Sequence, residues 1–185
     1  MPLSIREKAM TEDEYIRFEQ QSDIRHEYVN GKLIDMPGES IFHNDVVFYL
    51  RSLLSGLLKH AGYSIYSSDV KVKLQNEKKY FYPDVFVTKE KPQENSPFIR
   101  TAPILIAEVL SESTRKYDTV DKFISYKQFD SLQYYLLIEP ETTFISVFSR
   151  VPGDDWELST YSKSDDVIEF GELGVKLRVG EVYGG

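Results

Sequence analysis

Glu108 interrupts Ile104-Leu105-Ile106-Ala107-Glu108-Val109-Leu110, a run otherwise suited to a strand buried on both faces. A carboxylate left unpaired in such a strand costs several kcal/mol or stays protonated, so the fold must bring it a cation, a metal or a hydrogen-bond network. For one isolated glutamate, a strand-end ion pair with a lysine or arginine meets that need. A second carboxylate widens the choice. Asp84 sits in Phe81-Tyr82-Pro83-Asp84-Val85-Phe86-Val87, another apolar strand, in which Pro83 demands an edge, a strand start or a bulge. If the two strands are neighbours, Asp84 and Glu108 converge on one side. Their oxygens and a nearby carbonyl, for which Val109 is the candidate, then make a hard-ligand site suited to Mg²⁺ or Mn²⁺. Zinc fits less well, because His26, His43 and His60 are the only histidines and show no ligand spacing.

The segments around this pair supply a sheet and its helices. Thr11 to Gln20 opens with a capping box from Thr11 to Glu14, with Met10 placed to staple onto Tyr15. Glu27 to Met36 reads as a hairpin turning at Asn30-Gly31. His43 to Ala61 carries Val46, Val47, Leu50, Leu53, Leu54, Leu57 and Leu58 at helical spacing and stops at Gly62. Extended segments are expected at 64–74, 81–88 and 104–110, with a polar, proline-containing loop at 89–102. A second long helix is expected from about Thr114 to Phe129. It carries Tyr117, Val120 and Ile124 as its apolar side, with Asp118, Lys122 and Tyr126 on a neighbouring stripe. Strands follow at 134–138 and 144–149, and weaker ones at 156–161 and 175–179, so the acidic C-terminal part reads as a β extension of one 185-residue domain.

Charge and composition narrow the partners. The net charge of −8, from 22 basic and 30 acidic residues, argues against a DNA-binding surface spread over the whole protein. From Asp154 onward there are eight acidic and three basic residues, whereas Tyr66 to Gln133 holds eleven basic and ten acidic, so the middle of the chain can meet a polyanion. The absence of cysteine excludes disulfides, thiolate nucleophiles and Cys-ligated metals and suits a reducing cytosol. No apolar run reaches the ~20 residues of a membrane span, and MPLSIREKAM lacks the apolar stretch of a signal peptide. The expected location is cytoplasmic.

Several further residues admit two readings. Lys122 either returns to the carboxylates, orienting water and stabilising charge on an attacked phosphate, or is an exposed helix lysine paired with Asp118. His43 contacts a phosphate or, as the favoured reading, caps its helix. Asp69 supports a metal site or faces solvent at a bulge. Lys71, Lys73, Lys78 and Lys79 track a phosphate backbone or protect a solvated edge. The 13 tyrosines and 11 phenylalanines alternate with aliphatic residues in strands, which points to core and dimer surface before base stacking.

The series Arg25-His26-Glu27-Tyr28-Val29-Asn30-Gly31, His43, Tyr82-Pro83-Asp84-Val85, Glu108-Val109-Leu110-Ser111-Glu112-Ser113-Thr114, then Asp118, Lys122 and Tyr126 resembles the Uma family, restriction-endonuclease-like members of the PD-(D/E)XK nuclease superfamily. The likeness runs from about Glu12 to Pro140. It implies an α+β fold, with a mixed central sheet flanked by helices, an N-terminal helix and hairpin, and acidic residues binding divalent metal for phosphodiester hydrolysis. One feature departs from the superfamily pattern. Leu110 stands where a lysine is expected two residues after the glutamate, and Lys122 on the following helix takes that place in the resembling family. Glu27 matches the family's early glutamate, as an added ligand or proton acceptor; bonding to Arg25 or a backbone N–H is the structural alternative. The resemblance implies an Mg²⁺-dependent DNA endonuclease with Asp84, Glu108, Lys122 and Glu27 as its machinery, and a homodimer suits symmetric duplex DNA. A catalytically inactive nuclease-fold module that binds nucleic acid or protein is the rival reading.

Overall fold

The computed structural model describes residues 4–6, 9–36, 38–92 and 96–185. Residues 93–95 of the expected loop and much of the N-terminal decapeptide lie outside the described residues. The chain opens with a two-residue strand β1 (Ile5–Arg6) and helix α1 (Glu12–Glu19). Thr11 and Glu14 form the expected capping box, the Thr11 N–H donating to the Glu14 carboxylate at 2.8 Å. Strands β2 (His26–Val29) and β3 (Lys32–Asp35) follow, and Asn30 and Gly31 hold φ of 51° and 93°, the left-handed pair that a tight hairpin turn requires. Helix α2 (Ile41–Leu58) starts two residues earlier than expected. Ser40 is its cap, accepting the His43 N–H at 3.2 Å, so the expected capping role of His43 is corrected.

Next come β4 (Ser64–Tyr66), β5 (Lys71–Leu74), β6 (Lys79–Phe81), β7 (Val85–Thr88), β8 (Ile99–Arg100) and β9 (Pro103–Val109). A π-helical turn (Tyr117–Lys122) leads into α3 (Phe123–Tyr126). Strands β10 (Tyr134–Ile138), β11 (Ile145–Val151), β12 (Asp155–Tyr161), β13 (Val167–Phe170) and β14 (Val175–Arg178) complete the described elements above the level of a single 3-10 turn. One sheet runs β1-β3-β2-β6-β5-β8 and the central one β12-β11-β10-β9-β7-β4, while β13 and β14 pair separately. The central sheet is mixed because β9 and β10 are parallel and its other pairs antiparallel.

Two single strands expected from the sequence are each two strands in different sheets. Pro83 has no N–H to give a ladder, and the chain turns there, leaving the first sheet after Phe81 and entering the central sheet at Val85. The stretch 64–74 breaks similarly at Ser67-Ser68-Asp69, where Ser68 has φ of 45°. The polar loop contains β8, paired parallel with β5.

Strand β9 is buried on both faces, as its composition demands. Leu105, Ala107 and Val109 face α2, meeting Leu50, Leu54 and Leu58, and the C-terminal residues Ile168, Phe170 and Leu177 join that same core. Ile106 and Leu110 pack on the other side with Val72 and Phe81 of the first sheet and with Tyr126, Phe129 and Leu132. Burial of each such aliphatic or aromatic side chain contributes roughly 1.5–3 kcal/mol. Glu108 falls by alternation on this second face, which the π-helical turn and α3 cover.

Candidate active site

The corner at Pro83 sets Asp84 opposite Glu108. Val85 pairs with Ala107, so the residue before one faces the residue after the other, and the Asp84 N–H reaches Glu108 Oε2 at 3.4 Å. Asp84 Oδ2 accepts the Val109 N–H at 2.7 Å and lies 3.1 Å from His43 Nε2 on α2. Glu27 comes from β2, and its Oε1 accepts the Tyr82 N–H at 3.0 Å. Lys122 Nζ stands 3.0 Å from Glu27 Oε1, 3.1 Å from Glu108 Oε1 and 3.1 Å from Asp118 Oδ1. Tyr126 donates its hydroxyl proton to Glu108 Oε1 at 2.7 Å.

These residues line one narrow cleft. Its walls carry six carboxylates, Glu27, Asp35, Glu39, Asp84, Glu108 and Asp118, against Lys122 and His43 as the cationic groups. The imbalance bears on how tightly these groups hold their protons. Burial, reinforced by Asp84, Asp118 and Glu27 against the pull of Lys122, drives Glu108 well above the usual carboxylate range. Burial likewise raises Glu27 and Glu39, though Lys122 and His43 respectively oppose it. For Lys122, burial favours the neutral amine, but Asp118, Glu108 and Glu27 outweigh it and push the ammonium's pKa well up. Burial opposes a charged His43 also, and its bond to Asp84 prevails.

The helix after β9 presents its charged stripe inward. Asp118, Lys122 and Tyr126 are buried, while Val120 and Ile124 are 45% and 51% exposed, so of the apolar side expected from spacing Val120 and Ile124 face solvent and Tyr117 turns to the cleft. The π-helical turn explains how three residues spaced by four stay aligned. At 3.6 residues per turn, eight residues overshoot two full turns by about 80°, whereas one wide turn of about 4.4 residues followed by an α turn nearly cancels that drift. Of the two readings of Lys122, exposure is corrected: the side chain is buried beside Glu27 and Glu108 and is paired with Asp118 as well.

Asp84, Glu108, Glu27 and Lys122 therefore share one cleft, and Val109 joins them through its N–H. Asp118, His43, Tyr126 and Glu39 also line or support it. The first three stood in the motif series without an assigned catalytic role. Glu39, in the linker before α2, carries no pattern that marks it. Asp69 is elsewhere, paired with Arg25 at the surface. Three of the four lysines proposed to track phosphate are engaged within the protein: Lys71 with the Tyr82 hydroxyl, Lys73 with Glu12, and Lys79 with Glu77 and Ser125. Among the described residues, no three of His, Asp and Glu group as a metal cage. No helix among them is long and apolar enough to cross a membrane.

Residues 12–179 match the model of the family described as "Uma2: Putative restriction endonuclease". Two uncharacterized proteins of Synechocystis sp. are similar along nearly their whole lengths. One is 35% identical over 165 residues, 88% of this chain and 93% of the relative, and the other 32% identical over 176 residues, 95% and 92%. In the crystal structure of a "putative nuclease belonging to DUF820" from Anabaena variabilis the fold recurs at a TM-score of 0.77, with 16% identity, over 95% of this chain and 98% of that one. The family model spans the cleft and, β1 apart, both six-stranded sheets, and on that breadth of match this chain belongs to the Uma2 family.

Proposed function

We propose that the chain is a divalent-metal-dependent endonuclease hydrolysing phosphodiester bonds of DNA, working in the cytoplasm as a homodimer. The observation that carries this reading is the meeting of Asp84 and Glu108 across adjacent strands, beside a buried lysine, in a cleft with more carboxylates than cations. The donor set fits Mg²⁺, which is held through one or two carboxylates and keeps several waters, so a third acidic ligand is unnecessary. Asp84 and Glu108 would hold the ion, with the Val109 carbonyl as a further oxygen. When bound, it supplies Lewis acidity toward a phosphate oxygen and acidifies water.

The chain's own residues do the rest. Val109 and His43 fix Asp84 through Oδ2, and Tyr126 and Lys122 fix Glu108 through Oε1. The Lys122 ammonium stabilises negative charge gathering on the phosphate, a role suited to a charge held in a largely dry site. Glu27, raised toward neutrality by burial, accepts a proton more readily than an ordinary surface glutamate. The lysine two positions beyond the glutamate is replaced by Leu110, and Lys122 reaches the same carboxylate from the next helix.

Supercoiled plasmid incubated with Mg²⁺ or Mn²⁺ tests the reading. Nicking should appear, stop with chelator, and fall by about 10²-fold or more in Asp84→Asn and in Glu108→Gln, the scale of removing one essential group. Calorimetry with Mn²⁺ should show binding that disappears in the Asp84→Ala, Glu108→Ala double variant. DNA binding without cleavage in any divalent metal would favour the rival reading of an inactive nuclease-fold module. Mn²⁺ affinity unchanged in the double variant would remove the metal site.

A further inference from the structure

The three carboxylates around Lys122 are not equivalent. Glu108 also takes the Tyr126 hydroxyl and faces Asp84, and Glu27 also takes the Tyr82 N–H. Both belong to strands that converge on the cleft. Asp118 lies on the same π-helical turn as Lys122, 3% exposed, and among the described residues Lys122 is its ion-pair partner. The Asp118 end of the turn is itself pinned, because the Tyr135 hydroxyl of β10 donates to the Asp118 main-chain carbonyl at 2.8 Å. Its carboxylate oxygen Oδ1 is enclosed and makes no well-aligned hydrogen bond, so its interaction with the ammonium is electrostatic at 3.1 Å.

We propose that Asp118 is the positioning residue for Lys122: it is the counter-ion that travels with the lysine and keeps the ammonium beside Glu108 when Glu108 and Glu27 are occupied with other partners. The π-helical turn is the device that makes this possible, since it turns both residues inward while Tyr126, four residues on, still reaches Glu108. A counter-ion on the lysine's own element holds position independently of the strands. One on a strand would let the lysine shift whenever that carboxylate turned to a cation or a substrate.

The kinetic part of this inference rests on the nuclease reading, and the structural part does not. Lysine acylation at fixed pH, read by mass spectrometry on the full chain without metal or DNA, reports whether the ammonium stays sheltered. Lys79, which is also largely enclosed and paired through Glu77, serves as the internal reference. Asp118→Asn should raise the Lys122-to-Lys79 labelling ratio by tenfold or more, and Asp118→Glu should restore most of the protection. In a parent that cleaves DNA, Asp118→Asn should lower kcat with little change in KM. An unchanged ratio in Asp118→Asn overturns the proposal, and if Glu27→Gln raises it instead, Glu27 is the anchor. Equal rises at Lys122 and Lys79 would make Asp118 a general support of the fold, which also overturns it. A parent without cleavage leaves the labelling result decisive and counts against the nuclease reading alone.

Discussion

Two buried polar networks lie on either side of Tyr82, and they are built differently. In the first, Glu19 accepts the His26 main-chain N–H at 3.0 Å, faces His26 Nδ1 at 3.0 Å and accepts the Tyr82 hydroxyl at 2.9 Å. Lys71 closes it, donating to the Tyr82 oxygen at 2.9 Å, and the Tyr15 hydroxyl ties in the His26 carbonyl. Here one central carboxylate is surrounded by donors. In the second, across the Tyr82 main chain, one lysine is surrounded by carboxylates. The first arrangement satisfies its central carboxylate and contributes to the fold, and of its buried groups His26 Nε2 keeps a longer ionic contact with Asp35 at 3.5 Å in place of a hydrogen bond. The second leaves negative charge in a cleft, a cost that a purely structural network has no reason to retain.

The largest test of this contrast is Lys122→Met. It leaves Glu27, Glu108 and Asp118 buried without their shared cation, and breaking a buried ion pair in this way costs about 3–5 kcal/mol. A melting temperature lower by on the order of 10 °C is expected for a chain of this size, while Lys127→Met on the exposed side should leave it nearly unchanged. Equal melting of both would mean that Lys122 is not the charge that holds the cleft together.

A sign difference sharpens the comparison further. Glu19→Gln takes away a charged acceptor that three donors need and should cost roughly 1–3 kcal/mol. Glu108→Gln should leave the melting temperature at pH 7 equal to the parent's or higher. Glu108 is raised by burial, so its contribution to stability is present below the ordinary carboxylate pKa and is lost as pH rises through its folded value. Thermal unfolding of the two variants checks this, and a Glu108→Gln that melts as low as Glu19→Gln would erase the distinction between the networks.

The smallest effect belongs at the surface. Hydrogen bonds from Lys73 and Tyr80 hold Glu12 below its ordinary value of 4.5. Its contribution is therefore present above about pH 4.5 and lost as pH falls through the lower folded pKa. For this partly exposed pair the contribution should stay under about 1 kcal/mol, seen as a slightly shallower acid limb of the stability curve in Glu12→Gln.

Local chemistry was legible without the fold. The Thr11–Glu14 capping box, the Asn30-Gly31 turn, the amphipathic run of α2 and the two-sided burial of β9 depend on neighbours within a few residues, and the sequence displays those neighbours. Glu108 announced itself for the same reason, as a charge inside an apolar run. Its meeting with Asp84 was legible only as a condition, that the two strands be adjacent. Other features belong to tertiary structure alone. Pro83 shows that a ladder must break, but only the two sheets decide that the break is a corner carrying the chain from one to the other. Spacing puts Val120 and Ile124 with Tyr117 on an apolar side and does not choose between an exposed Lys122 and one returned to the carboxylates, because helical periodicity assumes that the buried side is the apolar one. Here carboxylates from β2 and β9, distant in sequence, make burial of the lysine favourable, and a π-helical turn keeps Asp118, Lys122 and Tyr126 in line. Which face of a helix is buried depends on what waits opposite it, and that is fixed by the assembled strands.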